Sequence, residues 1–89
     1  MNTQCLIDQA NIVALINRFY LAIDERDYQT MRTCLTNDVK FDYSAWFRTI
    51  MPSTADESVE EVSRNHRGFR STQHITANHL VSIEGDMAT

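Results

Sequence analysis

The chain has 89 residues, with 43% apolar and 22% charged side chains, which fits one small soluble domain and excludes a disordered chain. Eight basic against twelve acidic residues leave a net charge of −4, the wrong sign for a general nucleic-acid binder, which must displace counterions with a basic surface. Two glycines and one proline exclude collagen, linker and low-complexity sequence.

No apolar run in the sequence reads as a membrane span, and Met1-Asn2-Thr3-Gln4 lacks the basic start of a signal peptide. Cys5 and Cys34 make no disulfide framework and no paired-thiol motif. Reduced thiols and a cytoplasmic location are therefore expected.

The first element is a helix. Ile12, Leu15, Ile16, Phe19 and Ile23 recur at helical spacing and fall on one arc at about 100° per residue. Asn11, Asn17, Arg18 and Glu25 lie outside that arc. Arg26 would swing back into it, so the helix should end near Glu25. Thr3 and Asp8 are the candidate N-caps. Asp27 is the expected cap of a second, short helix with Tyr28, Met31, Cys34 and Leu35 inward. Thr36-Asn37-Asp38 is turn chemistry.

Alternation follows. Val39, Phe41 and Tyr43 share one face, and Lys40, Asp42 and Ser44 the other, which predicts a half-buried strand. Trp46 to Met51 is ambiguous, and Pro52 closes it. Thr54 and Glu57 fit a capping box at the head of a third helix, with Val59 and Val62 inward and Gly68 as its stop.

Thr72 to Ile83 alternates again as one long strand. Ile75, Ala77, His79, Val81 and Ile83 share one parity, and His74, Thr76 and Asn78 the other, barring a bulge. Gly85-Asp86 predicts a tight hairpin turn before Met87-Ala88-Thr89. Helices first and an antiparallel sheet later make the class α+β. A return strand of three residues cannot pair along its long partner. The expectation is either a fragment or a sheet completed by another chain.

These runs resemble the SnoaL-like family of the NTF2-like superfamily. Ile23-Asp24-Glu25-Arg26-Asp27-Tyr28 is similar to the end of that family's first helix. Asn37 to Tyr43 is similar to its first strand, and Thr72-Gln73-His74 with Gly85-Asp86-Met87-Ala88 to its later hairpin. Within the family, the ordered set is most like the scytalone dehydratases and covers nearly the whole of 1–89. The resemblance implies an NTF2-like cone, with N-terminal helices packed on a curved antiparallel sheet whose C-terminal strands are missing. It implies a cofactor-free lyase or isomerase for a cyclic or polyketide-like small molecule.

Asp24 sits at the edge of the helical arc, where a carboxylate can orient a histidine and stabilise its protonated form. Without the resemblance, it reads as a polar helix terminus facing water. His74 opens the long strand, where an imidazole aimed into a cavity can shuttle a proton; the plain reading is a structural histidine. Tyr43 corresponds to the dehydratase tyrosine that holds a water against the substrate carbonyl, and reads equally as a core residue. A second pocket tyrosine of the dehydratases is replaced here by Ile23, so half of that water-holding pair is missing. His66 and His79 are read as structural.

Arg64, Arg67 and Arg70 are read as cations at a helix C-terminus rather than an anion site. The scattered histidines and cysteines make no zinc set, and Arg26 amid Asp24, Glu25 and Asp27 argues against a divalent ion. The expected partners are thus a small-molecule substrate and further copies of the chain in a homo-oligomer. No metal, cofactor, nucleic acid or membrane is expected. Two other readings use the same fold: a non-catalytic binding or assembly module, and the small subunit of a ring-hydroxylating oxygenase.

Overall fold

The computed structural model describes residues 2–41 and 54–89. Helix α1 spans Thr3–Asp24, α2 spans Tyr28–Thr33 and α3 spans Ala55–His66. Two short strands follow, β1 (Ile83–Glu84) and β2 (Met87–Ala88). The chain is α+β, with the helices forming the body.

Local capping chemistry sets the helix ends. Asn2, rather than Thr3 or Asp8, caps α1: its Oδ1 accepts from the Cys5 N–H at 2.8 Å. Asp8 lies inside the helix and accepts from Gln4 Nε2 one turn earlier. Asp27 caps α2 through the Thr30 N–H at 3.1 Å, and Thr54 caps α3 through the Glu57 N–H at 3.2 Å. Asp27's carboxyl is held below its ordinary value by hydrogen bonds from the Thr30 hydroxyl and N–H. Helix α3 ends at His66 with Arg67 as C-cap, and Gly68 does not adopt the left-handed conformation of a glycine stop. Replacing Thr54 by Ala should cost about 1 kcal/mol, because one orphan helix donor loses its partner. Denaturant unfolding of the variant checks this.

The core lies where the C-terminal end of α1 meets α2. Ala22, Ile23 and Met31 are buried there, with Phe19, Tyr20, Tyr28, Val59 and Val62 packed against them. Ile23 is thus a core residue. Ala55 and Ser58 bury the first turn of α3. Arg32 ties α2 to the start of α3 by donating to Asp56 at 2.8 Å and to the Leu35 carbonyl at 3.1 Å, with Asn37 as a third acceptor. At the other end of α3, Arg64 pairs with Glu60 and Glu61, so part of the arginine cluster neutralises its own helix.

The apolar surface of α1 extends beyond the expected arc: Leu6, Ile7 and Leu21 lie outside it and are exposed, and Leu15, on the arc, is exposed as well. Helix α1, at 22 residues with an 18-residue stretch of mean hydropathy 1.2, is long and apolar enough to cross a membrane by length and composition only, although no membrane span is expected from the sequence; the core helix of a soluble protein or a signal sequence has the same character.

The expected long strand is corrected. Among the described residues only the hairpin is paired: Ile83 faces Ala88, Glu84 faces Met87, and Ser82 exchanges both backbone hydrogen bonds with Thr89. Gly85 takes φ +59° at the first turn position and Asp86 does not follow it, the sign pattern of a type II′ turn.

Residues 72–81 have no strand partner among the described residues. They run antiparallel along α1 and are held by side chains instead. Thr72 and His74 meet Asp24, Thr76 Oγ1 donates to Asn17 at 2.6 Å, and Gln9 Nε2 donates to the Val81 carbonyl at 3.1 Å.

Asn78 breaks the alternation with φ +58°. Before it, the even positions Thr72 and Thr76 are half-buried; beyond it, the odd positions Val81 and Ile83 are. One left-handed residue therefore swaps the face that meets the helix, leaving Ile75 and Leu80 exposed. Val39 and Phe41 of the other expected strand carry no strand structure; the Val39 N–H donates to the Thr36 carbonyl at 3.1 Å, and Phe41 stacks on Phe19 at 6.2 Å. Its continuation through Tyr43 to Ser44, and the ambiguous stretch 46–51 that Pro52 closes, lie outside the described residues.

Candidate functional site

Asp24 is the last residue of α1, directly after buried Ile23. Its carboxylate turns toward the segment after α3, 48 to 50 positions later in the chain. Oδ1 accepts from Thr72 Oγ1 at 2.8 Å and from His74 Nδ1 at 2.6 Å. Oδ2 accepts from the His74 backbone N–H at 2.7 Å. The Asp24 side chain is 13% exposed and that of His74 33% exposed, so the pair is shielded but open on the histidine side.

Burial by itself would raise the Asp24 carboxyl. The hydrogen bonds from His74 and Thr72, with the charge of the His74 ring, outweigh it and hold the group below its ordinary value. Because a carboxylate only accepts, the proton on His74 sits on Nδ1 and the free ring atom is Nε2.

Tyr20 lies one turn before Asp24 on α1 and stacks on the imidazole at 5.2 Å with an interplanar angle of 30°. Phe19 meets Tyr20 edge-on at 5.1 Å. The ring of His74 is thus fixed by a carboxylate at Nδ1 and an aromatic face at its side.

Arg26 supports the other end of the network. Its Nη1 donates to the Ile23 carbonyl at 3.0 Å and to Thr72 Oγ1 at 2.9 Å, and Nη2 reaches the Phe69 carbonyl at 3.4 Å. Thr72 accepts from Arg26 and donates to Asp24, so the three side chains form a directed chain ending on the carboxylate.

Arg26 sits at φ +60°, a left-handed conformation that costs a residue with a Cβ about 1 kcal/mol or more. Arg26→Ala should destabilise by about 1–2 kcal/mol through the lost hydrogen bonds. Arg26→Gly should recover about 1 kcal/mol of that loss by relieving the backbone. Denaturant midpoints of the two variants, compared with each other, separate the terms.

Of the sequence candidates, the structure brings Asp24 and His74 into contact, while Tyr43 lies outside the described residues. His79 is exposed. His66, read as structural in the sequence, lies with its ring 6.0 Å from that of His74. Tyr20 could have been found from its spacing of four to Asp24. Nothing in the sequence links Arg26 to Thr72, which are 46 positions apart.

A shallow depression of about 260 Å³ lies toward the other end of α1, between Asp8, Ile12, Ile83 and Met87. Sixteen helical steps, about 24 Å at 1.5 Å each, separate Asp8 from Asp24. No histidine lines that depression. The Asp24–His74 pair therefore lies apart from that depression. Among the described residues, no group of three or more His, Cys, Asp and Glu side chains could hold a metal ion.

No curated protein and no solved structure matches the chain. The family model described as SnoaL-like domain matches residues 4–89. The match takes in the helix that carries Asp24 and the segment that carries His74, so the chain belongs to the SnoaL-like family, within the NTF2-like superfamily.

Proposed function

We propose that this protein is a cofactor-free acid–base enzyme, a lyase of the dehydratase kind or an isomerase, acting beside a carbonyl on a cyclic, polyketide-like small molecule. The observation that carries the reading is the 2.6 Å contact from His74 Nδ1 to Asp24, which leaves Nε2 free. A histidine fixed at Nδ1 by a carboxylate takes a proton at Nε2, and the carboxylate offsets the positive charge that then develops. His74 moves the proton in this reading. Asp24 orients the ring, and Tyr43 polarises the carbonyl directly or through a water.

The family match supports the small-molecule part of the reading, because SnoaL-like proteins bind such ligands. The test is a panel of cyclic β-hydroxyketones, followed by the rise of enone absorbance. Acceleration over free imidazole at equal concentration, lost in His74→Asn, is the expected result. A wild-type chain no faster than free imidazole across the panel would sink the reading.

A further inference from the structure

Four aromatic rings follow one another at the site. Tyr20 stacks on His74 at 5.2 Å, His74 lies 6.0 Å from His66, and His66 meets Phe69 edge-on at 6.5 Å. The two imidazoles are tilted by 37° to one another. They come from different elements, His66 from the last turn of α3 and His74 from the segment that follows it.

Both imidazoles are anchored in the same way. His66 Nδ1 lies 2.8 Å from the Val62 carbonyl, and His74 Nδ1 lies 2.6 Å from the Asp24 carboxylate. Carbonyl and carboxylate oxygens only accept, so each Nδ1 carries a proton and each ring offers Nε2. Neither Nε2 has a hydrogen-bond partner among the described residues. What lies behind each ring differs. A carboxylate stands behind His74, and the C-terminal end of a helix, whose dipole favours a cation, lies behind His66.

We propose that His66 is the second catalytic residue of the site, the acid that protonates the leaving oxygen while His74 acts as the base. The assignment rests on the acid–base reading above. In the step, His74 Nε2 takes the proton from the carbon beside the substrate carbonyl. The electron pair of that C–H bond forms the new C=C bond. The C–O bond one carbon further breaks with its pair on oxygen. His66, protonated at both nitrogens, gives its Nε2 proton to that oxygen, and water leaves. The proton gained by His74 and the one lost by His66 are re-equilibrated through solvent, so the cycle closes without any other reagent.

The division of labour follows from the charges. The base becomes positive in the transition state, in front of Asp24. The acid becomes neutral, with the Val62 carbonyl at the end of α3 behind it in place of a carboxylate. The substrate class that fits is a flat ring ketone with a poor leaving group at the β carbon, set against the Tyr20 and Phe69 rings.

The test uses the full chain and two probes with different leaving groups. 3-Hydroxycyclohexanone loses hydroxide unless an acid assists, whereas 3-(4-nitrophenoxy)cyclohexanone loses a stable aryloxide with no need of one. His66→Asn retains an amide donor for the Val62 carbonyl but supplies no acid. It should slow the hydroxy ketone by about 10²–10⁴-fold, the usual worth of such a group, and leave the nitrophenoxy ketone unchanged. His74→Asn should slow both.

Equal losses on both probes in His66→Asn, or no loss on either, would overturn the role of His66 while leaving His74 in place. A wild-type chain inactive on both probes would overturn the acid–base reading itself, and the role of His66 with it. Long-range proton–nitrogen NMR of the wild type gives a check that needs no variant. With both rings neutral, His66 should carry its proton on Nδ1. A proton found on Nε2 would mean that the Val62 anchor is absent and would overturn the assignment.

Discussion

Asp24→Asn should lower the stability of the fold by about 2 kcal/mol at neutral pH. The carboxylate is the common acceptor for the Thr72 hydroxyl, the His74 N–H and the His74 ring, and hydrogen bonds to a charged group contribute about 1.5–3 kcal/mol each. An amide retains one accepting oxygen, so only part of that is lost. At about 4–8 °C per kcal/mol for a domain of this size, the melting midpoint should fall by about 8–16 °C.

The sign of the pH dependence is fixed by the direction of the carboxyl's shift. Asp24 is held below its ordinary value of 3.8 in the folded chain. Its contribution is therefore complete above that value and is lost as the pH falls through the lower, folded-state value. The gap between wild type and Asp24→Asn should be widest near neutrality and should close in acid. Melting midpoints measured down the acid limb check this. A constant gap would mean that the loss in the variant does not come from the carboxylate's charge.

His74→Asn should behave differently. The backbone N–H of residue 74 still reaches Asp24, and Thr72 still donates to it, so the segment stays tethered to α1. The midpoint should move far less than in Asp24→Asn. Elimination from the hydroxy ketone should nevertheless fall by about 10²–10⁴-fold, because the proton acceptor is gone. An active-site side chain need not support the fold, and its loss is often neutral for stability. Wild-type turnover in a folded His74→Asn variant would remove His74 from the chemistry.

The helices were legible in the sequence because their signals are local. Asp27 and Thr54 sit where their caps were expected, and the end of α1 follows from Arg26 re-entering the apolar arc. Asn2 was missed because Thr3 and Asp8 are equally good cap residues by type. The hairpin at Gly85 was legible for the same reason, since only glycine adopts its φ without strain.

The strand assignments failed where alternation alone was used. Thr72–Ile83 alternates, but a strand needs a backbone partner, and among the described residues this segment meets a helix instead. Asn78 then reverses the buried parity in mid-segment, which no period-two pattern can show. Asp24 and His74 were reached through their motifs, since residues 50 positions apart carry no local signal of contact. Arg26, Thr72 and His66 were out of reach as site residues because their roles depend on how the segment after α3 folds back onto the end of α1.

A double-variant comparison on the hydroxy ketone tests the site most directly. Asp24→Asn, His74→Asn and the two together would be measured for kcat/KM under one set of conditions in which all remain folded. If Asp24 acts through His74, the double variant should be nearly as active as His74→Asn alone, because removing the base already removes the step that the carboxylate serves. Losses that multiply in the double variant would mean that the two side chains act independently, and would contradict an Asp24–His74 proton-transfer pair.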